Sequence, residues 1–189
     1  MWLVMHNRIL TKNNLYKKGW RGDLTCQFCH KRETITHLFL KCFVARQIWF
    51  WFGRSQQHFT DWHSISDIFE FAGTLSKNHQ IAFLVIFSAI CWTLWKHRNA
   101  IIFQDTSIKT IRSIILLIIS LFQYWSGSLS KKVKQVADEW LPLDIEAIPL
   151  RVWDPSTDQP PLYLQEGSGL HADGIGLLAL DGAAGTPAH

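Results

Sequence analysis

Three thiols and two imidazoles fall within 17 residues: Cys26 and Cys29 in a Cys-x2-Cys pair with His30 beside it, then His37, then Cys42. A Zn²⁺ ion takes four soft or borderline ligands in a tetrahedron, and Cys-x2-Cys is the tight turn that presents two thiolates to one ion. All four ligands would come from the protein, which leaves no coordination position for water or substrate; the site is expected to be structural and not catalytic. Ligand thiols must lose their protons, so folding of this stretch is expected to depend on metal and on pH. His30 adjoins Cys29 and competes with His37 for the fourth place, but adjacent ligands at a tight turn strain the tetrahedron, which favours His37. The alternative for Cys26, Cys29 and Cys42 is that they are small buried hydrophobes or that two form a disulfide. Three of the four cysteines in one window argue for metal instead. Cys91 stands alone in the apolar run 81–95 and reads as a core residue.

Charge gathers around the same window. Residues 1–60 hold ten Lys or Arg against Asp23 and Glu33, a balance of +8, whereas residues 61–189 hold nine against thirteen, a balance of −4; the sum is the chain's +4. Lys12, Lys17, Lys18, Arg21, Lys31, Arg32 and Lys41 surround the Cys/His cluster, where attraction to phosphates would put them. The competing reading is a solvated face that also offsets an anionic metal site.

The elements that must position these groups read as mostly helix. The pattern predicts a first helix over 7–18, ended at Gly19, and a turn at Gly22 and Asp23 that delivers Cys26. His37 and Cys42 are five apart, about 140° of rotation on an α-helix, so they cannot share a face of an intact one. A turn carrying His37, a break near Cys42 and a new helix through Phe52 are expected. Further helices are predicted over 61–71, 77–103, 107–125 and 130–140. The chain has ten tryptophans. Trp49, Trp51, Trp92 and Trp95 lie in apolar runs and read as core before they read as stacking platforms for bases.

These residues carry a resemblance. Cys26-x2-Cys29, then Glu33-Thr34-Ile35-Thr36-His37-Leu38-Phe39, then Cys42, Ala45-Arg46 and Trp49, is similar to the zinc-binding domain beside the reverse transcriptases of plant non-LTR (LINE-type) retroelements. Trp2-Leu3, His6-Asn7-Arg8-Ile9-Leu10-Thr11 and Asn14-Leu15 resemble that family's lead-in helix, and Trp92-x-x-Trp95 with Arg98-Asn99 and Phe103 resembles the helix that follows it. The resemblance covers residues 1 to about 105 and implies a Cys-Cys-His-Cys zinc site with RNA, DNA or another retroelement polypeptide as partner. The family usually has proline after the last ligand, where this chain has Phe43, and its lead-in begins several residues before Trp2; a truncated element is expected.

A polymerase needs a palm domain with paired aspartates, and no Asp-Asp pair occurs in the chain. No nucleophile with a spaced base and no Gly-rich phosphate loop is found either, so no catalysis and no small-molecule substrate are expected. Ile81–Trp95 and Ser113–Ser130 are uncharged, but a spanning helix wants about 20 apolar residues, and a membrane location is disfavoured. With three of four cysteines clustered and no cleavable signal, a reducing compartment, nucleus or cytoplasm and not the secreted space, is expected. Residues 154–189 hold five acids, four of the six prolines and no Lys or Arg; such a composition predicts disorder.

The expected fold class is mostly α: a small helical domain with a structural zinc cluster near its N-terminus and a disordered C-terminal tail. The division is a zinc-binding module with its lead-in helix over 1–60, a helical bundle over 61–141 and the tail over 142–189. The alternative is a metal-free helical domain with a structural or protein-interaction role, and after it a small membrane protein.

Overall fold

The computed structural model describes residues 1–53, 62–104, 106 and 110–141. The predicted tail lies outside the described residues. These fold into seven α-helices and one π-turn, with no strand beyond an isolated antiparallel bridge between Thr25 and Arg32.

The expected helix over 7–18 is two helices. The first, α1 (Trp2–Met5), ends with Asn7 at φ 52, where Arg8 N–H donates to the Leu3 carbonyl (2.8 Å) and Asn7 N–H to that of Val4 (3.1 Å). This is a Schellman closure, and Asn tolerates the left-handed conformation it requires. The second, α2 (Lys12–Lys17), starts from Thr11, whose side chain accepts from Asn14 N–H. Gly19 at φ 99 closes it in the same way, as expected. A good N-cap four residues after a good C-cap overrides the apolar spacing across 7–11.

The Cys/His cluster follows, and then α3 (Phe43–Gly53) and α4 (Ile65–Thr74). Helix α4 begins at Ile65 and not near 61, because Ser64 and Asp67 form a reciprocal capping box; Asp61 lies outside the described residues. Helix α5 (Lys77–Gln104) is the central element, packed by α4, α6 (Ile111–Ser126) and α7 (Lys131–Asp138). Its buried positions Ala82, Ile86, Ala89, Thr93 and His97 form one stripe, and Phe83, Phe87, Ile90, Leu94 and Arg98 a second. A helix covered on two sides has no single apolar face. By contrast α6 buries one stripe, Ile111, Ile114, Ile115, Ile118, Ile119, Phe122 and Ser126, with Thr110 as N-cap. In α7, Ser130 caps the helix and Val133 and Ala137 face inward.

One apolar cluster runs from Val4 through Phe39, Trp49 and Phe87 to Trp140. It joins the segment 1–53 to the helices beyond residue 62, and each large apolar side chain fully buried in it contributes about 1.5–3 kcal/mol. Trp49 is core as expected, its Nε1–H donating to the Phe39 carbonyl (2.8 Å). Trp92 is not: it is 49 % exposed. It falls on the side of α5 shared by Lys96 and Phe103, away from both buried stripes. By length and composition α5 would suffice to cross a membrane, but half of its most apolar window is buried by its neighbours.

Candidate metal centre

The Cys26–Cys29 turn is built by backbone geometry. Cys26 N–H donates to the Lys31 carbonyl (2.7 Å) and Glu33 N–H to that of Leu24 (2.9 Å), so a short two-stranded clip holds the turn at its base. Inside it, Phe28 N–H donates to Cys26 Sγ (3.4 Å), and His30 takes φ 56 to reverse the chain. The His30 side chain is exposed and is not among the gathered donors. Asp23 fixes the entry: its carboxylate accepts from Thr25 N–H (3.0 Å), Thr25 Oγ1–H (2.6 Å) and Lys12 Nζ (3.0 Å). The two Thr25 bonds, with Lys12 behind them, hold that carboxyl well below the usual range.

The other half solves the angular problem posed by His37 and Cys42. Residues 37–41 form one turn of π-helix, and Cys42 N–H donates to the His37 carbonyl (2.6 Å) across the wider i to i+5 ring. The wider turn returns Cys42 to the side of His37, which an α-turn would miss. Thr34 Oγ1 accepts from His37 N–H (3.0 Å) and sets the start of the turn.

The structure thus brings Cys26, Cys29, His37 and Cys42 together, with their ligand atoms all within 4.8 Å of one another. Cys29 Sγ lies 3.1 Å from His37 Nε2 and 3.7 Å from Cys42 Sγ, and Cys26 Sγ lies 3.9 Å from Cys42 Sγ. A tetrahedral zinc site with ordinary Zn–S and Zn–N bonds has edges of about 3.6–3.8 Å. The donor set and spacing therefore fit a metal ion such as zinc. All four cysteines are free thiols, so the disulfide alternative is not realised. Cys91 is buried in α5, where desolvation raises its thiol, in keeping with a core role.

The thiols divide the negative charge unequally. Hydrogen bonds from Cys26 and Cys42 drive the Cys29 thiol far down, while the Cys26 thiol is pushed up to about 12 by its bond to Cys29 and Cys42 is raised chiefly by burial. A dication completes such a ligand set by displacing the remaining thiol protons.

A contact outside the ligand spacing locks this centre to the helices. Glu33, fully buried, accepts from Arg98 Nη2 at Oε1 (2.6 Å) and from Arg98 Nε at Oε2 (3.1 Å), and Oε1 also takes Lys12 N–H (2.8 Å). Arg98 is 3 % exposed and lies 5.0 Å over the Trp95 ring. Phe28, inside the cysteine turn, stacks on His97 of α5 (centroids 6.0 Å, 16°). Spacing alone did not join Glu33 to Arg98; the one signal was an acid amid a basic run and a lone Arg at the end of an apolar one.

Of the basic residues, Lys12 is buried, its ammonium held by Asp23 and by the Thr25 carbonyl (2.7 Å). Arg21 lies over the Tyr16 ring (4.9 Å), Arg32 bonds Asn13 Oδ1 (3.0 Å), and Lys41 Nζ is 3.2 Å from His63 Nδ1. Lys17, Lys18 and Lys31 are exposed.

A family model described as zinc-binding in reverse transcriptase matches residues 1–49 of the 189. The match takes in all four gathered side chains and stops short of Arg98. No curated protein and no solved structure matches the chain.

Proposed function

We propose that this chain is a non-enzymatic zinc-binding module derived from a plant LINE-type retroelement, where it stands beside the reverse transcriptase, and that its basic segment contacts nucleic acid inside the cell. The observation that carries the reading is the convergence of Cys26, Cys29, His37 and Cys42 within 4.8 Å. The match over residues 1–49 supports zinc as the ion. With four protein ligands the Zn²⁺ is structural: it fixes the cysteine turn against the π-turn and offers no open position for chemistry.

Metal content of the purified protein under reducing conditions tests this, measured before and after strong chelation with helicity followed in parallel. One Zn²⁺ per chain, lost together with ordered structure in residues 1–53, is the expected result. Cys42→Ser is expected to lose metal and order alike; a Cys42→Ser protein that keeps both would overturn the reading. Unchanged helicity with no metal would leave the second reading, a helical protein-interaction domain for another retroelement polypeptide. The exposed Trp92, Phe103, Leu116, Leu117 and Tyr124 on α5 and α6 favour that second contact.

A further inference from the structure

The turn that ends α1 and one face of α2 enclose an open cleft of about 340 Å³ lined by His6, Asn7, Arg8, Asn14, Lys17 and Lys18. We propose that this cleft binds the phosphodiester backbone of a single-stranded nucleic acid, with a neighbouring base stacked on Trp2. The proposal deepens the nucleic-acid part of the preceding reading and rests on it.

The cleft is built from sequence outward. Asn14, Lys17 and Lys18 stand at i, i+3 and i+4, which places them on one face of α2 and its cap. The Schellman closure at Asn7 throws Arg8 against that face. Asn14 then fixes the wall: its amide nitrogen lies 2.9 Å from the Asn7 carbonyl, 3.1 Å from Asn7 Oδ1 and 2.8 Å from the Ile9 carbonyl. Asn14 is 7 % exposed, so this support is internal and pre-formed.

The charge is unopposed. Among the described residues Arg8, Lys17 and Lys18 form no ion pair and no side-chain hydrogen bond, and no acid lines the cleft. Residues 1–60 contain two acids, Asp23 and Glu33, and both are paired elsewhere, the exposed Asp23 with Lys12 and Thr25 and the buried Glu33 with Arg98. Three cations around one concave surface, with the local carboxylates occupied elsewhere, concentrate positive potential there. Arg21, Arg32 and Lys41, by contrast, already have partners.

An exposed indole adjoins His6 of the wall. Trp2 stacks on His6 (centroids 4.3 Å, 23°), and His6 Nδ1 lies 3.0 Å from the Trp2 carbonyl, while Trp2 itself is 61 % exposed. An indole stacked on the cleft-lining His6 and open to solvent beside a basic cleft is the pairing by which single strands are held: backbone charge plus base stacking. A duplex keeps its bases stacked inward and cannot use the ring.

The test is fluorescence polarisation of the zinc-loaded full chain with labelled 12-mer RNA and DNA single strands and their blunt duplex, over a salt series. The variant Arg8→Gln/Lys17→Gln/Lys18→Gln is compared with Lys77→Gln/Lys131→Gln/Lys132→Gln, which removes the same charge from exposed sites outside the cleft and outside the basic segment; zinc content and helicity verify the fold of both. Single-strand affinity is expected to fall at least about tenfold in the cleft variant and less than about twofold in the control, with the salt slope reduced by about 2, near 0.7 for each phosphate that is no longer neutralised. Trp2→Ala is expected to weaken single-strand binding about tenfold and to leave duplex binding unchanged. Equal losses in the two triple variants would overturn the cleft while leaving nucleic-acid contact in place. No binding of any strand by the wild type would overturn both, and a duplex bound as tightly as the single strands would overturn the stacking contact. The RNA and DNA arms identify which backbone is taken.

Discussion

At the scale of single residues, the centre is a problem of protons as much as of geometry. Hydrogen bonds from its two neighbours favour the thiolate at Cys29, whereas Cys26 and Cys42 hold their protons well above neutral pH. Zinc binding near pH 7 is therefore expected to release thiol protons. Calorimetry in buffers of different ionisation enthalpy measures that release, and its absence would contradict thiolate ligation. The sign follows directly: protons compete with the ion, so zinc affinity falls as pH is lowered. Glu33 is the other decisive residue. Glu33→Gln leaves the Arg98 guanidinium buried without its counter-ion, which typically costs about 3–5 kcal/mol. Urea denaturation of the zinc-loaded variant would show it, and Glu33→Gln/Arg98→Met is expected to recover much of the loss, because the second change removes the stranded charge.

At the scale of elements, caps decided what apolar spacing could not. Positions 7–18 carry a helical pattern, yet the chain stops after α1 at Asn7 and restarts from Thr11. Gly19 is needed where it stands, at φ 99, a conformation that costs other residues about 1 kcal/mol or more. Gly19→Ala is expected to lower stability by about 1–2 kcal/mol, although nothing lies within 4 Å of an added Cβ. A loss smaller than about 0.3 kcal/mol by chemical denaturation would show that the turn relaxes. Helix α4 supplies a pH-dependent case. Bonds from Ser64 and from the His63 backbone hold the Asp67 carboxyl below its ordinary value. A depressed folded-state value contributes stability above the unfolded value and loses it as pH falls through the folded one. Ser64→Ala removes the N-cap acceptor and is expected to lower stability at neutral pH, and the penalty should shrink as Asp67 is protonated; an equal penalty at both ends of that range would exclude the carboxylate from the cap.

At the scale of the whole molecule, the matched segment 1–49 is not a self-contained unit. Its buried carboxylate is neutralised by α5, its cysteine turn stacks on α5, and its apolar side chains belong to a cluster that continues to Trp140. A fragment of residues 1–60 with zinc is accordingly expected to lack a cooperative thermal transition by circular dichroism, and residues 1–141 to regain it. A sharp transition in the short fragment would show that the metal alone suffices.

The sequence by itself determined the donor set, because ligand type and Cys-x2-Cys spacing are local properties of the chain, as are the long apolar runs of α5 and α6. It also determined the charge imbalance, which is a count. Only the tertiary structure decided how His37 and Cys42 meet, since a π-turn differs from an α-turn by one hydrogen bond that no spacing records. Likewise only the fold separated Lys12, consumed inside, from Lys17 and Lys18, left open. The Glu33–Arg98 pair spans 65 positions, and two charges so far apart become partners only when packing brings them into one desolvated place, where each is too costly to bury without the other.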